Sequence, residues 1–344
     1  MTLRPKLEFY KLKLVSKDGE YKTFRDFATE ELYQRRPSTD AQIMNKLFEH
    51  FMNQLVTDKA KDNRIKKQLK LIKTVSNKHL ANKPVVNVNE NIIYGVINGG
   101  RFGRNGMMSD SSADAEDANA FGKNKTILQY FYFLMYIPLD HNEGCFIIHS
   151  NSKEETITDI FKVYVSRLFK GISYRRPAVI MFCPKSFQHK FENEAVIKSV
   201  EFCNTYIDDV FTEKGMLSHS QRYEVKIEII PKQREISLNE KSSIKSLLQQ
   251  LGFMRQQQNT GLTDFNSKKM KLNSPYSKSD RSFEFDDENL DVIPVVYLEN
   301  HINKHYDDDT PDFNELNQFC QTLFRNEVLP EIRPDLFEDN NERK

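Results

Sequence analysis

The chain has 344 residues, 38% of them hydrophobic and 11% aromatic, which is enough to bury a substantial core without disulfide or metal staples. Its 50 basic and 49 acidic residues leave a formal charge of +1, so there is no global pull towards nucleic acid and any polyanion binding has to come from a local patch. Cys145, Cys183, Cys203 and Cys320 show neither CxxC nor metal-type spacing, which excludes a disulfide framework and points to reduced thiols in a cytoplasmic protein without a cofactor.

The N-terminal MTLRPKLEFYKLKLVSKDG lacks the apolar core of a signal peptide. Within it Leu7–Leu14 alternates, and the turn-like SKDGEY that follows predicts a hairpin with a rung near Tyr21–Phe24. Helices are expected around Arg25–Tyr33 and from Ser38 or Thr39, where PSTDAQ supplies caps ahead of Ile43, Leu47 and Met52. A third is expected over Asp58–Val75, with Ile65, Leu69 and Ile72 as its core stripe.

Strands follow over Val85–Ile97 and over the aromatic run Ile127–Leu139, which is too short to be a membrane helix of about 20 residues. The tight DHNEG connection makes Gly144–Ser150 its antiparallel neighbour, and Glu154–Phe169 is an amphipathic helix covering that pair. Further on, Ala178–Cys183 reads as a strand, Glu192–Asn204 as a helix, Tyr223–Ile230 as an alternating strand, Ser237–Gly252 as a capped helix, Ile293–Leu298 as a short strand and Asp312–Leu329 as a closing helix. The polar stretch Met254–Glu288 is irregular or forms long hairpin strands.

Strands and helices mix without strict βαβ alternation, so the expected fold is α+β, mainly antiparallel, with amphipathic helices packed on the sheets. The expected division is a domain over 1–172, a second over 173–335, and a disordered tail over 336–344.

Two places gather basic residues with almost no acid among them. Lys59–Lys83 holds nine Lys or Arg against one acid, Asp62, and on a helix Lys66, Lys70 and Lys73 line one solvent edge flanked by Arg64 and Lys67. The segment NGGRFGRNGM, residues 98–107, holds four of the twelve glycines with Arg101 and Arg104 three apart, in a turn leading into the acidic loop SDSSADAEDANAFG. It matches neither the dinucleotide fingerprint nor the P-loop, but exposed backbone N–H groups with two guanidiniums are suited to a phosphate.

An enzyme reading rests on Glu224 and Lys226 in YEVKIEI, with Asp208 and Asp209 upstream: carboxylates for Mg²⁺ and a lysine to position water, as in a metal-dependent nuclease. Glu224, Lys226 and Glu228 are equally the polar face of a half-buried strand, and that explanation leans the assignment away from catalysis. His141, His149, His189 and His219 have no metal-ligand spacing, and no GxSxG or Cys–His arrangement suggests a triad.

In layout, IIYGVINGGRFG and RYEVKIEIIPK followed by IKSLLQQLGF are similar to stretches of a family of bacterial anti-phage proteins, the phage-exclusion protein RexA and the KwaB subunit of Kiwa systems. The resemblance implies abortive infection without catalysis. It also implies a homo-oligomer, such as a dimer, that binds double-stranded DNA without strong sequence preference and works with a membrane-protein partner while not spanning the membrane itself.

Overall fold

A computed structural model describes residues 5–33, 39–71, 83–108, 119–123, 125–151, 156–211, 217–232, 235–250, 267–273, 281–285, 292–298, 301–302 and 311–338. The fold is α+β, and every strand pairing among these residues is antiparallel. The chain divides into two compact units, 1–184 together with 295–344, and 185–294.

The first unit opens with β1 (Lys6–Lys13), α1 (Phe24–Phe27) running into a π-turn over Ala28–Leu32, and α2 (Asp40–Leu55). Thr23 and Thr39 cap the two helices with their side-chain oxygens. There follow β2 (Lys61–Asp62), β3 (Lys67–Lys70), β4 (Val85–Asn87), β5 (Ile92–Arg101), β6 (Gly106–Met108), β7 (Asn119–Phe121), β8 (Gln129–Tyr136), β9 (Glu143–Ser150), α3 (Thr158–Leu168) and β10 (Ala178–Phe182). The main sheet runs β10-β1-β9-β8-β5-β3-β2, with β4 also paired to β5.

The N-terminal hairpin does not form. Both faces of β1 are apolar, Leu7 and Phe9 on one and Tyr10 and Leu12 on the other, and all four are buried. Such a strand needs cover on both faces and belongs inside a sheet, and β1 finds its neighbours in β9 and β10, 130 residues away or more. The aromatic run behaves as expected: β8 and β9 pair as Phe133↔Ile148 to Tyr136↔Cys145, and α3 covers one face. On that face α2 and α3 bury Phe51, Leu47, Phe161, Tyr164 and Val165 against Phe131, Phe133, Met135, Phe146 and Ile148.

The opposite face is covered by the C-terminal segment, α6 (Phe313–Leu323), a π-turn over Phe324–Val328, and α7 (Leu329–Ile332). Tyr132 donates its hydroxyl to Asn317 (2.8 Å), Tyr136 packs on Phe324, and His149 lies edge-on to Phe313. Residues 336–338, expected in a disordered tail, belong instead to the one-turn helix α8 (Asp335–Glu338). The buried guanidinium of Arg333 fixes this turn, bonded to Asp335 (2.6 Å) and to Asp140 in the β8–β9 connection (2.8 Å).

The second unit contains α4 (Lys185–Glu194), β11 (Val196–Phe211), β12 (Leu217–Ile229), β13 (Ile236–Ser237), α5 (Lys241–Gln250), β14 (Ser267–Asn273) and β15 (Arg281–Glu284), in the order β12-β11-β14-β15. Glu192–Asn204 is therefore not a helix. The ladder to β14 shifts register between Ile197 and Ser199, and the extra residue displaces the alternation so that buried Ile197 and Val200 fall three apart. That spacing imitates helical periodicity. Gly252, expected to stop the following helix, lies outside the described residues.

The division also differs from a cut at 172, for a reason visible in the ladders of β1. On one side of β1, Ala178–Phe182 pairs with Lys13 back to Phe9, and β16 (Val296–Tyr297) then pairs with Leu7 and Lys6. The two segments continue one register along one strand, so the second unit is inserted into an edge strand of the first.

Candidate nucleic-acid interface

The two basic stretches come together at the β2–β3–β5 edge. Residues 58–70 are not the expected helix but a 3₁₀ turn, β2, a four-residue turn and β3, and β3 pairs with the end of β5 as Lys67↔Arg101, Gln68↔Gly100, Leu69↔Gly99 and Lys70↔Asn98. Lys66 ends the turn at φ +55°, a conformation that no helix continues through.

The glycines are explained by close approach. Gly99 and Gly100 lie inside β5 rather than in the expected turn. A Cβ at Gly99 would lie 2.6 Å from Ile157 Cγ2, and one at Gly100 would run into the Ile127 carbonyl. Gly95 has φ +146° and faces Pro84, whose Cα would be 2.7 Å from an added Cβ.

Two buried ionic contacts pin the hairpin to α3. Asp62 accepts from Arg167 (2.7 Å) and from the backbone N–H of Arg64 (2.9 Å), and the latter above all holds its carboxyl down at about 2. Lys67 is the correction to the expected row of solvent-facing lysines: only 2% exposed, it donates to Asp159 (2.8 Å) and to the Thr156 carbonyl (2.7 Å). Lys67 is thus an anchor of the hairpin and presents no charge to a ligand. Lys70 is exposed but three residues along β3 from the Arg101 rung, about 10 Å by strand rise. Lys73 lies outside the described residues, as does the acidic loop over 109–118.

What remains is a cluster around the half-buried Phe102. Its N–H donates to the Lys66 carbonyl (2.9 Å), and that of Gly103 donates to Lys123 (2.8 Å), so the strand end, the hairpin turn and the 122–125 segment are tied together. The ammonium groups of Lys61 and Lys66 lie 4.8 and 5.9 Å from the Phe102 ring centre. Arg64, Arg101, Arg104, Lys123 and Lys125 are exposed beside them. Among the described residues, Lys61, Lys66, Arg101, Arg104, Lys123 and Lys125 have no carboxylate within 4 Å, while Arg64 reaches Asp62 at 3.4 Å. Lys61, Phe102, Lys123 and Lys125 are not distinguishable in the sequence, because only the folded backbone, through the bond from Gly103 to Lys123, brings Lys123 and Lys125 beside the hairpin. Cations and forked guanidiniums that have no carboxylate partner among the described residues suit phosphate oxygens.

The candidate nuclease strand is differently occupied. Lys226 pairs diagonally across the ladder with Glu201 (2.6 Å), and Glu224 accepts from Cys203 Sγ (3.3 Å). The register sets Asp208 and Asp209 three and four residues from the Thr205↔Glu224 rung, roughly 10 to 13 Å along the strand. Among the described residues no group of three His, Cys, Asp or Glu side chains is placed to hold a metal, and no helix is long and apolar enough to cross a membrane. Comparisons of the chain with family models, with curated proteins and with solved structures return no match.

Proposed function

We propose that this protein binds the phosphate backbone of duplex DNA without sequence preference, through Lys61, Arg64, Lys66, Arg101, Arg104, Lys123 and Lys125, and that it acts non-catalytically in bacterial anti-phage defence. The observation that carries the binding reading is the convergence of two sequence-distant basic stretches on one sheet edge, on a chain whose net charge is +1. The defence setting, a membrane partner and a second copy of the chain are supported by the family resemblance alone.

Phosphate neutralisation fixes the salt dependence. Seven contacts give a log–log slope of about −6, a loss of affinity of roughly 10³- to 10⁴-fold between 50 and 200 mM salt. The test is titration of fluorescent duplexes of two unrelated sequences across that range. Lys66→Ala, Arg101→Ala and Arg104→Ala combined should lower the slope by about 3 while the melting temperature holds. Equal slopes for the wild type and the triple variant would show the patch to be no more than a solvated surface.

A further inference from the structure

Lys66 is a non-glycine residue at φ +55°, a left-handed position that glycine or asparagine ordinarily takes. Such a residue is held against its own preference, and strain of this kind collects at working sites. Its side chain is used in one direction: the stem runs past Gly103, where an added Cβ would come within 3.3 Å of Lys66 Cδ, and the ammonium ends over Phe102. Gly103 is itself left-handed at φ +89°. The same ring carries the Lys61 ammonium from β2, across β3 in the sheet order.

We propose that Phe102 is a positioning residue, resting on the binding reading above: its ring holds the Lys61 and Lys66 ammonium groups as a preorganised clamp for backbone phosphate, and it is not a platform on which bases stack. Single-strand sites that lack sequence preference use exposed aromatic faces for base stacking. Here the ring is half-buried and already engaged by two cations, so a stacked base would have to displace them. Cation–π contact also limits the freedom of two long side chains before the ligand arrives, which is where preorganisation adds affinity.

Two variants of the full chain separate this arrangement from a merely structural one, with a short duplex and single-stranded oligo(dT) as probes. Lys66→Gly removes one cation and relieves the left-handed strain. Its melting temperature should hold or rise, while duplex affinity falls about eightfold at 0.1 M salt and the slope loses about one unit. Phe102→Leu keeps every charge but frees both lysines. It should weaken duplex binding roughly two- to fivefold at an unchanged slope, and oligo(dT) should bind no better than duplex to any form.

If wild type binds duplex and both variants match it, the clamp is overturned while the basic patch stands. Selective loss of oligo(dT) binding in Phe102→Leu would make the ring a stacking platform, and a lowered melting temperature in Lys66→Gly would make the left-handed lysine a structural feature; either result overturns the proposal. Absence of duplex binding by wild type at low salt removes the binding reading and the clamp with it.

Discussion

Gly95 and Gly100 sit five residues apart on one strand, and alanine at each should cost different amounts for reasons the structure separates. At Gly95 an alanine meets two penalties. It must hold φ +146°, worth about 1–3 kcal/mol, and its Cβ presses on the Pro84 backbone at 2.7–2.8 Å, an overpacking of about 1–3 kcal/mol. The lower chain entropy of unfolded alanine returns only about 0.4–1 kcal/mol, leaving a net loss near 3 kcal/mol. Gly100 has no such φ, so only overpacking applies: its obstacle is the Ile127 carbonyl, a backbone atom that gives way only if the 125–128 segment, whose Ile127 and Leu128 side chains are 59% and 36% exposed, shifts as a whole. The net loss there should be about 1 kcal/mol.

Calorimetry should place the Gly95→Ala melting temperature some 6–12 °C below wild type and that of Gly100→Ala about 2–4 °C below. Function should rank the other way. Pushing the 125–128 segment from β5 disturbs Lys123 and Lys125, so Gly100→Ala should weaken duplex binding and Gly95→Ala, once folded, should not. A Gly95→Ala protein as stable as wild type, or the reverse order of melting temperatures, would refute the close-approach account of the glycine cluster.

Phe133→Asp should prevent the first unit from folding, since the ring is fully buried against Phe51 (5.2 Å) and Phe161 (5.4 Å) and an unpaired buried charge costs several kcal/mol; a cooperative near-wild-type melt would contradict this. Glu224→Ala with Lys226→Ala should change stability by less than about 1 kcal/mol and leave duplex binding intact, because both side chains are exposed on a strand surface. Were wild type to cleave DNA with Mg²⁺ and the folded double variant to lose that activity, the nuclease reading would prevail.

His149 is fully buried with neither ring nitrogen bonded, and burial lowers its pKa to about 3. The unfolded chain therefore takes up the proton first, so this contribution to stability is intact above about pH 6.5 and erodes as pH falls towards 3, by about 1.4 kcal/mol per unit. His149→Leu should flatten that limb of a urea-denaturation series and hold or raise stability at pH 7; an unchanged pH profile would dispose of the argument.

Much of the first unit was legible because its signals are local. Thr39 caps α2, the aromatic run fills β8, and the Ile157–Leu168 stripe faces the sheet as its spacing requires. The failures have identifiable physical causes. A bulge after Ile197 turned a two-residue period into a three-residue one, and the two apolar faces of β1 pointed to partners that no local pattern names. At the interface, Arg101 and Arg104 were visible as charges and Lys66 was correctly exposed. Lys67 was misread because its partner Asp159 is 92 residues away, and nothing beside Lys67 in the chain announces a buried ammonium.

The interrupted edge strand has a mechanical consequence. Because Phe182 pairs with Phe9 and Val296 with Leu7, the inserted unit is attached through both halves of one strand along β1. A load applied to the insert is therefore delivered to those two ladders on β1. The same continuity makes the join a natural splice: a chain in which Cys183 runs directly into Val296 would keep both registers and carry an edge strand with nothing to interrupt it. The first unit, with its basic edge on the far side of the sheet order, could then be handled as a module in its own right.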